Sequence, residues 1–139
     1  RSTGAAAPPL EGALKANAAV ELSGAFIALV APQLIFPAAV SVASAAEAAR
    51  WFGLAVGTLG LASVRCATER AAARPFAEAM SFYHVAIGIA QLPRAMVGTA
   101  DMTLFAAGCG ALVIHAGMAA WLLSSLRADA NDADQSTVE

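Results

Sequence analysis

Charge is scarce in this chain. Only 13% of its 139 residues are Asp, Glu, Lys or Arg, against about 25% in an ordinary soluble domain. Leu22–Ala46 and Met102–Leu126 contain none, and two shorter uncharged stretches, Trp51–Val64 and Ala79–Pro93, lie between them. A basic excess is missing too. The net charge is −2 and the pI is near 5.6, which excludes nucleic acid as a partner, because displacing counterions from phosphates needs a basic face. Cysteine is nearly absent: Cys66 and Cys109 fall toward opposite ends of the layout below, too far apart for a disulfide, and read as small packing residues. His-Glu-x-x-His, Cys-x-x-Cys, a Walker loop and Gly-x-Gly-x-x-Gly do not occur, so no catalytic signature is written in the chain.

What is present is apolar. Hydrophobic residues make up 59% and the mean hydropathy is +0.67. An uncharged run of ~20 residues is the length a helix needs to cross a hydrocarbon core ~30 Å thick. The sequence therefore predicts an all-α, membrane-spanning, up-down-up-down four-helix bundle, with short connections making consecutive helices antiparallel neighbours. Residues 1–13 form a polar Ala/Pro-rich extension, 14–126 the four-helix transmembrane domain, and 127–139 an acidic tail. The first helix is expected from Leu14 to Ala31, ended by Pro32, with a single kinked helix to Ser44 as the alternative. The second runs from Ala45 to Thr68 and the third from Pro75, as a first-turn proline, to Val97. The fourth, capped by Asp101, fills Met102–Leu126.

Arg1, Lys15, Arg65, Arg70, Arg74 and Arg127 all fall on the face that holds both termini. The positive-inside rule puts that face in the cytosol, or in the stroma or matrix of an organelle. Gly53, Gly57 and Gly60 line one face of the second helix, and Gly108, Gly110 and Gly117 thin the fourth. Both sets are expected to pack helix on helix within the chain. The start at Arg1, without a methionine, reads as a processed mature chain. The tail has the composition of a disordered segment, so order there would imply a neighbouring subunit holding it.

Ionisable residues inside a span point to function by default. Glu47 and Arg50, three apart, are expected to pair locally, and Arg94 to snorkel or to pair with Asp101. Glu21 and His84 fall at similar depth, roughly 10–12 Å from the termini, at ~1.5 Å per residue, and are expected to share a hydrogen bond. His115 falls nearer the midplane, which disfavours a haem held by both histidines. Each imidazole could bond a carbonyl or hydroxyl on a neighbouring helix. A neutral imidazole also suits axial ligation of a chlorophyll Mg or a haem Fe. His115 is the preferred Mg ligand and His84 the second candidate, with Gly88, Gly108 and Gly117 as small neighbours that leave room for a macrocycle. Tyr83 beside His84 is the one spot for acid–base work.

The segments ARWFGLAVGTLGLAS, FYHVAIGIA and LVIHAGMAAWLL resemble a broad group of small four-helix membrane proteins, loosely DoxX-like. The matching features are an Arg-x-x-Gly start to the second helix (Arg50 to Gly53), the Tyr83-His84 pair on the third, and a lone His115 followed by an apolar run on the fourth. The resemblance spans Leu14 to Leu126 and implies the bundle. The group has no shared activity, so it implies no chemistry.

Taken together, the sequence points to a non-catalytic accessory subunit of a multi-subunit energy-converting membrane complex. A photosystem in a plastid thylakoid is favoured, with chlorophyll on an intramembrane histidine and carotenoid or lipid as further ligands. A respiratory subunit of the inner mitochondrial membrane fits the same features. A stand-alone small membrane enzyme or redox helper using Glu21, Tyr83 and His84 is the alternative of a different class. A transporter fits least, for want of a half-helix pair or a charged path. Expected partners are membrane lipids and the other subunits of the complex.

Overall fold

The computed structural model describes residues 8–36, 38, 41–96 and 101–135. The first seven residues of the polar lead, Pro37, Val97 and Gly98, and positions 136–139 of the tail lie outside the described residues. Among the described residues four α-helices make up the architecture: α1 (Pro8–Val30), α2 (Ala43–Ala67), α3 (Arg70–Ala95) and α4 (Met102–Gln135), with a 3-10 turn, Pro32–Leu34, after α1. Two of the four are long and apolar enough to cross a membrane, over Pro9–Val30 and Met102–Ala133.

Pro32 does end the first helix. Ala31 N–H still reaches Ile27 O at 2.8 Å, and the chain then turns through a 3-10 segment with the proline at its start, so the kinked helix to Ser44 does not form. Asp101 caps α4 as expected, its Oδ1 accepting from Thr103 N–H and Leu104 N–H at 3.0 Å each. The third helix begins five residues earlier than Pro75. Glu69, in extended conformation, accepts from Ala72 and Ala73 N–H at 2.9 Å, and the run RAAAR that follows is built of strong helix formers. Pro75 sits within the helix, and the connection from α2 shrinks to Thr68 and Glu69.

At the other end of the chain, α4 continues unbroken through Gln135. Residues expected to form a disordered-type tail extend the helix, and Arg74 Nη1 stands 3.7 Å from Asp129 Oδ2. This end of the tail is therefore held by the chain's own α3. Glu47 and Arg50 are both exposed and, among the described residues, do not pair with each other. Among the described residues, Arg94 pairs with neither Asp101 nor any other acid. Its Nη1 donates to Ile35 O and Gln91 Oε1 at 3.4 Å each, and its guanidinium stacks 5.5 Å from the Phe36 ring, because the α1–α2 connection folds over the end of α3.

The helices pack as two antiparallel hairpins. On α1 and α2 the facing pairs are Asn17–Ser63, Leu22–Gly60, Ala25–Gly57 and Ala28–Gly53. On α3 and α4 they are Arg74–Asp129, Gly88–His115 and Arg94–Gly108. Glycines set the closest approaches: a Cβ at Gly53 would lie 2.9 Å from Ala28 Cβ, and one at Gly60 would lie 2.8 Å from Leu22 Cγ. The stripe on α2 thus packs inside the chain. On α4 only Gly108 has this role, since a Cβ at Gly110 or Gly117 would meet nothing within 4 Å.

Contacts between the hairpins run mainly through α1 and α4, with fewer between α2 and α3 and between α1 and α3. The dry core lies toward the termini, where Leu10, Leu14, Ala77, Met80, Leu122 and Leu126 interlock. Toward the far end the helices part around a cavity of about 1000 Å³. Outside, Phe26, Trp51, Leu61, Phe82, Ile89 and Val113 are all more than 60% exposed, so apolar side chains face outward on every helix.

Candidate functional site

Where the dry core gives way to the cavity, four helices bring polar side chains together. Asn17 and Glu21, four apart on α1, share one face of that helix. Tyr83 and His84 come from α3, His115 from α4, and Ser63 from the facing turn of α2. Asn17, Ser63 and His84 are fully buried and Glu21 is 2% exposed. A polar group taken out of water at such depth costs free energy unless it is partnered. Nearly all of these groups are.

Asn17 Nδ2 donates to Ser63 Oγ at 2.6 Å, and Asn17 Oδ1 lies 2.5 Å from His84 Nε2. On the other edge of the same ring, His84 Nδ1 lies 2.7 Å from His115 Nδ1. Tyr83 O–H donates to Glu21 Oε2 at 3.4 Å, and its ring stands edge-on to His84 with centroids 5.2 Å apart. The one buried side-chain oxygen or nitrogen left without a hydrogen bond, among the described residues, is Glu21 Oε1, which lies 3.5 Å from His84 Nε2. Glu21 and His84 do meet at one depth, but their contact is looser than the hydrogen bond expected from the sequence. Asn17 takes that bond instead.

The histidines meet although their backbones do not stand level. Gly88, one turn beyond His84, faces His115 Cβ across a 3.9 Å gap measured from an ideal Cβ, so His115 is attached about one turn deeper and its imidazole reaches back. Leu112 Cδ1 and His115 Cβ fill the space over Gly88, which therefore leaves no flat gap there. His84 points into the bundle with both nitrogens engaged. His115 is half-buried and lines the cavity, as do Glu21 and Tyr83. Most of the remaining lining is apolar, and Arg94 and Gln91 stand at its far end.

Glu21, His84 and His115 also offer ligand atoms within 4.8 Å of one another. An ion with bonds of 2.0–2.1 Å needs its ligand atoms no more than about 4.2 Å apart. Both nitrogens of His84 are already bonded to protein, so ligation there would require one of those bonds to open. As arranged, the cluster is a hydrogen-bonded network beside an apolar cavity. Asn17 and Ser63 complete it and are not among the residues that the ionisable-group argument selects. The legible signal was Asn17 four residues before Glu21, on the same helix face.

Compared with known protein families, curated proteins and solved structures, the chain matches none.

Proposed function

We propose that this is a multi-pass integral membrane protein that takes a lipophilic molecule from the bilayer into its cavity and handles the polar head of that molecule with Glu21, Tyr83, His84 and His115. This is the small-membrane-enzyme or redox-helper reading. The observation that carries it is the position of the network: Glu21 and His115, each with one acceptor atom that no protein group bonds among the described residues, line a mostly apolar cavity of about 1000 Å³. That size suits a drug-sized or lipid-sized guest. A purely space-filling subunit would need neither the cavity nor a polar network joining all four helices.

The reading is tested by filling the cavity. Gly110 lines it, and a Cβ there would meet nothing within 4 Å, so Gly110→Leu should occupy the space without disturbing the backbone. Solvent extraction of the wild-type protein in lipid nanodiscs is expected to yield one lipophile enriched over the bulk lipid, and the variant to lose it. Extracts indistinguishable from bulk lipid in both proteins would remove the reading.

Four spans with both termini on one side go with this proposal. In a variant lacking Cys66 and Cys109, cysteines introduced at Thr68 and Asp132 should react with an impermeant reagent from the same face, and one at Asp101 from the other. Labelling of Thr68 and Asp132 positions from opposite faces would rule out the even-numbered topology.

A second reading keeps the accessory-subunit role, with a chlorophyll Mg on His115. It is favoured by one observation: among the described residues, no protein group bonds His115 Nε2. His84 could act as such a ligand only by giving up Asn17 or His115.

A further inference from the structure

The hydrogen bonds through the cluster have a direction, and Asn17 sets it. Its Nδ2 donates to Ser63 Oγ, which turns the amide oxygen Oδ1 toward His84. An amide oxygen only accepts, so His84 Nε2 must carry the hydrogen. An imidazole with one N–H has a lone pair on its other nitrogen, here Nδ1. That lone pair lies 2.7 Å from His115 Nδ1, a separation that requires a hydrogen between them, supplied by His115. His115 then keeps a bare lone pair on Nε2. Ser63, Asn17, His84 and His115 thus form one chain running from α2 through α1 and α3 to α4, and its end is an acceptor at the cavity wall.

Glu21 adds a second, independent sign that something is to be received here. Glu21 lines the same cavity, and its Oε1 is buried and has no hydrogen-bond partner among the described residues. Two groups on one wall therefore lack a donor. The rest of the lining, including Ile27, Phe52, Val56, Ile87 and Ile114, offers an apolar bed.

We infer that the site binds a lipophilic hydroxyl compound, a phenol or an alcohol, whose O–H donates to His115 Nε2 while its apolar body fills the cavity. The inference rests on the proposal that the cavity takes a guest from the bilayer, and it names the chemistry of that guest. A ketone or an ether would set its own lone pairs against His115 Nε2 and leave that acceptor unpaired. The discrimination should be roughly tenfold in affinity, the equivalent of one hydrogen bond.

The probes are p-octylphenol with its methyl ether, decanol with its methyl ether, and octyl phenyl ketone, titrated into the protein in nanodiscs. Because the chain has only two histidines, the reporter is nitrogen NMR of protein carrying 15N-labelled histidine. Free protein should show two protonated and two unprotonated ring nitrogens. The phenol or the alcohol, and in neither case its ether, should move one unprotonated resonance, and that resonance should be missing from His115→Leu. The two pairs separate aryl from alkyl hydroxyls, and a preference in either supports the inference. Ethers binding as tightly as their parent hydroxyls, or the ketone binding more tightly, would overturn it while leaving the cavity as a binding site. Equal uptake of every probe by wild type and Gly110→Leu would instead overturn the underlying proposal, because such uptake is partition into lipid.

Discussion

Replacing His84 with leucine is expected to destabilise the bundle by on the order of 3 kcal/mol, more than any other single change in the polar cluster. The side chains are similar in volume, so little of the loss comes from a cavity. It comes from two groups that lose their partners: Asn17 Oδ1, fully buried, loses its donor, and the hydrogen on His115 Nδ1 loses its acceptor. Each stranded group costs about 1–3 kcal/mol. His115→Leu should cost about half as much, since it orphans only His84 Nδ1 and since His115 is half-buried. The double variant Asn17→Leu/His84→Leu should recover part of the loss, because removing both partners of a buried bond costs less than removing one. Thermal unfolding of the three variants in detergent, followed by helical circular dichroism, checks the order. If His84→Leu proved no worse than His115→Leu, the chain through Asn17 would not be holding the helices together.

The elements were legible where a local rule acted without competition. Pro32 cannot supply an N–H to a continuing helix, and α1 ends two residues before it. Asp101 can cap, and it does. Pro75 shows such a rule losing. First-turn preference for proline is real, but five residues of RAAAR ahead of it favour helix strongly enough to start α3 at Arg70. The tail shows composition losing to continuity: Arg127 onward is polar, yet it extends a helix already nucleated, and Asp129 finds Arg74 across the hairpin.

The site was legible in its ionisable members and not in its wiring. Counting ~1.5 Å per residue places backbones, so Glu21 and His84 come out level and His115 nearer the midplane. It cannot see that an imidazole spans that turn, which is why a direct contact between the histidines was not expected. Nor does the cost of burying charge single out Asn17 or Ser63, which are neutral. Those two decide which nitrogen of each histidine carries its hydrogen, and so whether the cavity wall offers a donor or an acceptor. That polarity is a property of four helices at once and exists in no single segment of sequence.

Gly108→Ala is expected to destabilise the protein by roughly 2 kcal/mol, within the range for overpacking a tight contact, although alanine is the better helix former. The added methyl would lie 2.7 Å from Ala95 N, 2.7 Å from Arg94 Cβ and 2.9 Å from Arg94 C, two of which are backbone atoms that no rotamer change can move. Helix α4 would have to back away from α3 at the very point where Arg94 bonds Ile35 O and lines the cavity. Gly117→Ala, nine residues on in the same helix, meets nothing within 4 Å. It should instead gain up to about 1 kcal/mol from helix propensity. Gly60→Ala should fall between them, because its nearest obstacle is the movable side chain of Leu22, with that residue's backbone N at 3.2 Å behind it. The decisive comparison is therefore one of sign, within a single helix and for one kind of substitution. Unfolding measurements that found Gly108→Ala and Gly117→Ala alike would mean that α3 and α4 do not touch at Arg94.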